Sequence, residues 1–446
     1  MTQKITLDTE NELLNFSVEI VEDFPKQNMF LTGYAGSGKT HFLKYVQQHI
    51  DKNMIVLAPT AIAAMNAEGE TIHSFFNLPH NPIYPNNIIF SYNPETRKNR
   101  VHEFFKLSFE KITLIRKLEV LFIDEVSMVR SDTIDVINAI LQAVRRSKKP
   151  FGGIQVVFIG DLFQLPPIVK REEKIELLKH YNSEYFFDSN VIRPNQPLII
   201  ELQKIYRQKD TELIKILNEI RTNSLSIQSK RTLNSKIESN FFDDNYIVIA
   251  SHNNIVDKIN YQKLNELKGD SMEYKAKIEG NISVKSIPAP ENLVLKVGAK
   301  VMFVKNSNSQ EIYNGKLGVV KKLAKDKIIV KCDDNSVIEV QKETWANRKH
   351  TVIDNKFSHS DIGSFEQYPL KLAYAITVHK SQGLTFDNVI ADIGSSFEKG
   401  QIYVALSRCT SLNGLVLKSR INESSIKVSK DVIEFMKKRD DRLQLP

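Results

Sequence analysis

Gly33-Tyr34-Ala35-Gly36-Ser37-Gly38-Lys39-Thr40 stands directly after an apolar run, Met29 to Leu31, and directly before a helical pattern, His41 to Ile50. Strand, glycine-rich turn and helix in that order form the phosphate-loop pattern in the context it requires. The glycines let successive backbone N–H groups turn inward around phosphate oxygens, and the helix N-terminus adds favourable partial positive charge. In this pattern Lys39 reaches terminal phosphates and Thr40 ligates Mg²⁺. A chance match arises in roughly 1 to 2 of 100 chains of this length, and the flanking strand and helix lower that figure further.

Downstream, Leu121-Phe122-Ile123-Asp124-Glu125 is an apolar run that ends in two carboxylates. Alone, such a pair is more often a strand-end turn or a helix cap. After a phosphate loop the balance reverses: Asp124 holds the Mg²⁺ shell and Glu125 orients and deprotonates the attacking water. Gln164, at the end of another apolar run, Gln155 to Gly160, can bond the terminal phosphate and that water. These residues point to Mg²⁺-dependent nucleoside triphosphate hydrolysis.

Short β-rich runs alternate with helical patterns at Met29 to Thr32, Ile55 to Ala58, Leu121 to Asp124 and Gln155 to Gly160, which reads as a parallel sheet covered by helices. We assign a second set of strands, Leu198 to Leu202, Tyr246 to Ser251, Val389 to Ile393 and Leu415 to Leu417, to a second α/β lobe. Thr211 to Arg221 reads as an amphipathic helix there. Between them, Lys300 to Lys305, Leu317 to Lys322 and Lys327 to Lys331 alternate apolar and polar residues, and Asp333-Asp334-Asn335-Ser336 is a turn cluster. A small antiparallel β barrel inserted into the second lobe fits that texture. Asn77 to Arg100, rich in Asn and Pro, reads as a protruding loop or hairpin.

The chain has 446 residues, 41% apolar and 26% charged, an ordinary globular composition that suggests two to four domains. Its formal charge of +8 is compatible with a polyanionic partner. Two cysteines, Cys332 and Cys409, form no paired or His-flanked motif, which excludes a disulfide framework and a zinc site as expectations. Met1 to Phe16 lacks the features of a secretory signal, and no run approaches membrane-spanning length. We expect an intracellular, cytoplasmic protein, nucleoid-associated in use, with no membrane partner. The runs Arg145-Arg146-Ser147-Lys148-Lys149 and Lys437-Lys438-Arg439 read as solvated faces.

Further segments narrow the function. Ala58-Pro59-Thr60-Ala61-Ile62-Ala63-Ala64, Thr71-Ile72-His73-Ser74-Phe75-Phe76, Gly160-Asp161-Leu162-Phe163-Gln164-Leu165-Pro166-Pro167 and Lys204-Ile205-Tyr206-Arg207-Gln208 are followed by Ala375 to Thr385, containing His379-Lys380-Ser381-Gln382-Gly383, and by Tyr403-Val404-Ala405-Leu406-Ser407-Arg408. Together they resemble the successive motifs of superfamily-one helicases, in the family's order. Most specifically the set resembles the Pif-type branch, whose relatives include the RecD subunit and the bacteriophage Dda helicase. The likeness covers nearly the whole chain, and Ser127 to Gly153 is similar to the stretch that marks this branch. One motif departs: where family members often carry a Gln that reads the adenine edge, this chain offers Asn11.

The resemblance implies an α/β fold of two RecA-like phosphate-loop lobes with an inserted SH3-like β barrel. We expect the first lobe over residues 1–175, with a wedge over 77–100, the second over 176–281 and 366–446, and the barrel over 282–365. Implied catalytic residues are Lys39, Glu125, Gln164, Arg207 and Arg408, the two arginines pointing across a cleft at the γ-phosphate, where one such group contributes about 10³ to 10⁵ in rate. ATP contacts are expected from Gly33, Ala35, Gly36, Ser37, Gly38, Lys39, Thr40, Asn11, Gln382 and Gly383, and from Tyr206 by stacking, although an aromatic beside Ile205 can equally be core.

Single-stranded DNA is expected across the carboxyl ends of the strands, gripped by Pro59, Thr60, His73, Ser74, Phe75, Thr377, His379 and Ser381. A lone His is usually structural, as we read His80 and His359; His73 and His379 stand apart because they fall in motifs of different lobes. The implied activity is ATP-driven movement on single-stranded DNA, from 5′ towards 3′, with unwinding of duplex junctions and, in some relatives, of G-quadruplexes and RNA–DNA hybrids. Rival readings are an RNA-directed or non-unwinding translocase and a catalytically silent DNA-binding scaffold. With no long heptad array, a monomer is expected.

Overall fold

A computed structural model describes residues 2–3, 27–85, 92–93, 98–99, 105–282, 284, 287–306, 312–353, 356–394, 396 and 398–437. Asn11 and most of the expected wedge at 77–100 lie outside these residues. The chain divides into two compact units, 1–206 with 349–360 and 429–446, and 207–348 with 361–428.

In the first unit the elements run in chain order: β1 (Thr2–Gln3), β2 (Met29–Gly33), α1 (Lys39–His49), β3 (Met54–Ala58), α2 (Ala61–Asn66), β4 (Glu70–Thr71), α3 (Ile72–Phe76), the short pair β5 (Tyr92–Asn93) and β6 (Lys98–Asn99), α4 (Phe109–Lys117), β7 (Val120–Ile123), α5 (Ser131–Arg145), β8 (Gln155–Ile159), α6 (Arg171–Leu177) and β9 (Leu198–Leu202). Seven strands form one parallel sheet in the order β1-β9-β2-β8-β7-β3-β4. Strands β2, β7, β8 and β9 are buried along their whole length. That is why they read as unbroken apolar runs: helices cover both faces of a parallel sheet. One face packs under α1 through Phe42, Leu43 and Val46. The other packs under α5 through Ile134, Ile137, Ile140 and Leu141. At the carboxyl ends of β2, β7 and β8 the chain leaves the sheet into the loops that carry the candidate site.

Contrary to the expectation from sequence, Leu198–Leu202 does not belong to the second unit. It pairs in parallel with β2, Met29 opposite Leu198 through Gly33 opposite Leu202, so the first unit runs to Tyr206 and not to residue 175. A buried apolar strand fits the interior of either sheet equally, and its pattern alone names no neighbour. The C-terminal segment is corrected likewise. Residues from Ser429 return to the first unit, where Phe435 stacks on Phe187 at 4.1 Å and Val432 is buried in the same core. The apolar face of this short helix, Lys430–Lys437, is completed by side chains almost 250 residues earlier in the chain.

The second unit contains α7 (Thr211–Arg221), the helix expected at those residues, with the Asp210 carboxylate accepting from the N–H groups of Glu212 and Leu213. Its parallel sheet has the order β21-β10-β22-β23, from Ala375–Thr377, Ile247–Ala250, Val389–Asp392 and Leu415–Leu417. The alternating segments form an antiparallel sheet of five strands in the order β17 (Val337–Val340), β16 (Lys327–Cys332), β15 (Leu317–Ala324), β14 (Lys300–Phe303) and β20 (Leu370–Leu372). Its apolar side buries Val301, Phe303, Val320, Ile328, Val330 and Leu370 in one core. The 333–336 cluster turns between β16 and β17, with Asn335 at φ 66°. Among the described residues the ladders join neighbouring strands only, so the pairing is that of an open antiparallel sheet reaching beyond residue 365 to 372. Cys332 and Cys409 are buried thiols. Among the described residues no helix is long and apolar enough to cross a membrane.

Candidate nucleotide and nucleic-acid site

Gly33 ends β2 and Lys39 begins α1, with Gly36 at φ 81° and Gly38 at φ 92° between them. Glycine is the residue that adopts this left-handed backbone without cost. At Gly33 the need is spatial: a Cβ there would lie 2.6 Å from the Leu202 carbonyl oxygen and 2.7 Å from the Ser37 hydroxyl. The Ser37 hydroxyl is buried and meets no hydrogen-bond partner among the described residues, as does that of Thr32. An unsatisfied buried hydroxyl costs about 1–3 kcal/mol, so the cradle is built for a polar guest. Lys39 Nζ curls over the loop and donates to the carbonyls of Gly33 and Tyr34, both at 2.9 Å. Ala35 and Ser37 are buried, whereas Thr40 is exposed at the first turn of α1.

Tyr206 completes this loop. Its N–H donates to the Gly36 carbonyl at 2.9 Å, and its ring lies 3.8 Å from where a Cβ on Gly38 would stand. At 50% exposure the ring is not core. It is an open aromatic face beside the phosphate cradle, with Lys204 Nζ 5.4 Å from its centre.

From the end of β7, Asp124 is buried; its N–H donates to Leu57 O at 2.8 Å and its Oδ1 accepts the Glu125 N–H at 2.9 Å. Burial, and then the Glu125 carboxylate, raise its carboxyl to about 7, against the opposing pull of that N–H bond and of Lys39. A divalent cation is the counter-charge that would relieve this pair. Glu125 itself sits at φ 50°, an uncommon conformation for a non-glycine residue that clusters at functional sites.

Gln164, beyond β8, is buried and held by Asp161: its N–H donates to Asp161 O at 3.0 Å and its Nε2 to Asp161 Oδ2 at 3.4 Å. A Cβ on Gly160 would approach the Val126 N atom to 3.0 Å, so the turn carrying Asp124 and Glu125 packs directly on the strand that launches Gln164. The orphaned Ser37 hydroxyl, the glycine cradle, Lys39 and the strained carboxylate pair fit a Mg²⁺–nucleoside triphosphate.

In the second unit three polar residues converge on two turns. Arg207 donates to Ser407 O at 3.4 Å and to Gly383 O at 3.2 Å. Gln208 Nε2, buried, donates to Ser407 O at 2.8 Å and to Cys409 O at 3.2 Å. Arg408 is only 1% exposed, and its guanidinium donates to the carbonyls of Val404, Ser381 and Leu384 and to the Ser407 hydroxyl, which braces the 381–384 turn. Gln382 is half-buried and Gly383 exposed at φ 81° on that turn. Sequence reading missed Gln208, since a glutamine beside a motif arginine carries no signal of what its amide will meet.

The expected DNA contacts divide. Pro59 and Thr60 are half-exposed, the Thr60 hydroxyl accepting from Ala63 N at the start of α2. Ser74 is exposed. The His73 ring stacks on His80 at 4.9 Å, and burial, followed by the charges of His80 and Arg130, lowers its pKa to about 4, so it is neutral at physiological pH. Phe75 is fully buried against Phe76 at 4.8 Å, with Lys111 Nζ over its ring. It is core and not a base-stacking platform, because the inward face of so short a helix takes both phenylalanines. In the second unit Thr377 and Ser381 are buried; Thr377 Oγ1 accepts from Lys380 N and the Ser381 hydroxyl donates to Val378 O, closing their own turn. Neither side chain is presented to a strand of DNA. His379 is half-exposed and pairs with Glu398 at 3.1 Å.

Comparison with known proteins gives the site a context. A family model described as PIF1-like helicase matches residues 7–230, and one for the UvrD-like helicase C-terminal domain matches 372–416. The ATP-dependent DNA helicase Pif1 of Bdellovibrio bacteriovorus is 30% identical over 417 residues, covering 92% of this chain and 88% of its own. That of Campylobacter jejuni is 30% identical over 447 residues, covering 93% and 95%. Among solved structures, Bacteroides sp Pif1 in complex with ADP-AlF4 superposes with a TM-score of 0.88 at 40% identity over 98% of both chains.

Proposed function

The chain belongs to the PIF1-like helicase family of ATP-dependent DNA helicases, and on that premise we propose that it moves along single-stranded DNA from 5′ towards 3′ and opens the duplex ahead. The observation that carries the reading is the joint presence, at the carboxyl edge of one parallel sheet, of the Lys39 cradle with its orphaned Ser37 hydroxyl, the Asp124–Glu125 pair and Gln164.

Lys39 exchanges its two loop carbonyls for the terminal phosphates when ATP binds, and Ser37 and the loop N–H groups hold the remaining oxygens. Thr40 and Asp124 would hold Mg²⁺, which would supply positive charge to the phosphates of the nucleotide. Glu125 takes the proton of the attacking water, and Gln164 leaves Asp161 to report whether the γ-phosphate is present. Tyr206 stacks on the base, which lessens the importance of Asn11. Arg207, half-buried beside an exposed turn, stabilises the transition-state charge, while Arg408 keeps that turn in place.

On the DNA side, Pro59, Thr60, His73, Ser74 and His379 make the contacts, and a neutral His73 serves as stacking face and hydrogen-bonding group. Separating a base pair costs about 1.4 kcal/mol per step, so a wedge and rectified motion suffice. The wedge role falls to the segment 77–100. Support comes from its root: Arg130 pairs with Asp132 at 2.8 Å and donates to His80 O, while Asp132 accepts from Ile83 N at 3.0 Å.

The test is steady-state ATPase with and without single-stranded DNA, on the intact chain and on Glu125→Gln, with unwinding of forks bearing either a 5′ or a 3′ tail. DNA-stimulated turnover that Glu125→Gln loses by at least about 10², with unwinding from the 5′ tail, supports the reading. Stimulation without unwinding removes the wedge, and greater stimulation by RNA than by DNA would move the substrate class.

A further inference from the structure

At the amino-terminal edge of the first sheet, opposite the nucleotide loops, helices α4 and α5 end side by side just before β7 and β8 begin. There Arg116, Val144, Arg145, Arg146, Ser147 and Gly152 line a concavity of about 540 Å³. The two helix ends exchange arginines. Arg145 donates through Nη1 to the carbonyls of Ile115, Arg116 and Leu118, and through Nε to Gly152 O. Arg116 Nε returns to Val144 O at 3.4 Å. Cations belong at helix C-termini, so capping explains these bonds.

Capping does not explain what is left over. Arg145 Nη2, both Nη atoms of Arg116 and the whole guanidinium of Arg146 meet no acceptor among the described residues, and no carboxylate lines the concavity. Arg116, Arg145 and Arg146 line one concavity that carries no carboxylate among the described residues. The turn that gathers them is also strained. Arg146 and Phe151 both stand at φ 51°, and a Cβ on Gly152 would lie 2.7 Å from Leu141 O. Gln142 Nε2 pins the carbonyls of Lys148 and Lys149 at 3.1 Å, so these exposed lysines are held at the rim. A charge run that reads as a solvated face thus becomes, with Arg116 from another helix, a preformed cluster of unspent donors.

We propose that Arg116, Arg145 and Arg146 form a second phosphate site, which takes a backbone phosphodiester of a DNA strand other than the one being tracked. The inference rests on the helicase reading above. Guanidinium forks match phosphate oxygens in pairs, and the opposite edge of the sheet separates this group from the ATP cradle.

Arg116→Gln/Arg146→Gln removes two exposed charges and leaves the Arg145 caps in place. Full-length protein is titrated by fluorescence anisotropy onto a 5′-tailed fork and onto the tail alone, across a salt series. Fork affinity is expected to fall about tenfold at low salt, with the slope of log affinity against log salt reduced by about 1. Affinity for the tail and tail-stimulated ATPase stay as in the intact chain. Equal fork affinity and slope in variant and intact protein would overturn the site, and so would an equal loss on the tail alone, which would put these arginines on the tracked strand. If the intact chain shows no DNA-stimulated turnover, it is the helicase reading that fails.

Discussion

Gln208→Leu conserves volume at a residue only 3% exposed but removes the two N–H bonds to Ser407 O and Cys409 O. Each buried carbonyl that loses its donor costs about 1–3 kcal/mol, so the 407–409 turn should be destabilised by about 2–6 kcal/mol in all. Arg207, the preceding residue, shares the Ser407 carbonyl at 3.4 Å, and its guanidinium is placed by the same turn. An arginine of this kind contributes about 10³ to 10⁵ in rate, and a misplacement near 1 Å can cost about 10². We therefore expect DNA-stimulated kcat to fall about a hundredfold. Affinity for a fluorescent nucleotide should stay within about twofold, because the phosphate cradle and Tyr206 lie in the other unit and Gln208 touches neither. Steady-state kinetics paired with nucleotide titration reads both quantities. An unchanged kcat, or nucleotide affinity falling in step with kcat, would refute the assignment of Gln208 as a positioning residue.

Three further outcomes follow from the same geometry. Phe75→Ala should lower stability by about 3–5 kcal/mol in denaturant unfolding, and a surviving folded fraction should bind single-stranded DNA normally; weaker DNA binding at full stability would restore the stacking role. Tyr206→Ala should raise KM for ATP about fivefold to tenfold while Tyr206→Phe stays near the intact value, since stacking needs the ring alone, and equal KM in all three would exclude base stacking. Because the folded pKa of His73 is lowered to about 4 from an ordinary 6.5, the unfolded chain binds the extra proton first. Its contribution is present above pH 6.5 and is lost as pH falls towards 4, by about 2–3 kcal/mol. His73→Asn should flatten that part of the stability–pH curve, and an unchanged curve would show that His73 is not the group responsible.

The contrast between what was legible in the chain and what was not has a physical basis. The phosphate cradle is contiguous: Gly33 to Thr40 carries its own turn, donors and helix start, so its chemistry follows from local backbone geometry. The placement of Asp124, Glu125 and Gln164 was equally readable, because each follows the end of a buried strand within a few residues and a parallel sheet delivers strand ends to one edge. The alternating runs between Lys300 and Lys331 named their own antiparallel pairing for a similar reason, period and turn being local.

Partnership over distance was not legible. The apolar run Leu198–Leu202 states that it is buried but not in which sheet, and only the ladder with Met29–Gly33 decides. Two adjacent phenylalanines leave open which one faces water, and the tertiary core takes both Phe75 and Phe76. Arg408 and Gln208 look alike as polar motif residues, yet the carbonyls that surround them come from turns tens to hundreds of residues away. Arg145 and Arg146 read as a solvated run until Arg116 is folded beside them. Composition and period encode a residue's preference for burial and its backbone, whereas its partner is chosen by the packing of elements remote in the chain, and it is the partner that decides whether a polar side chain binds, braces or is buried.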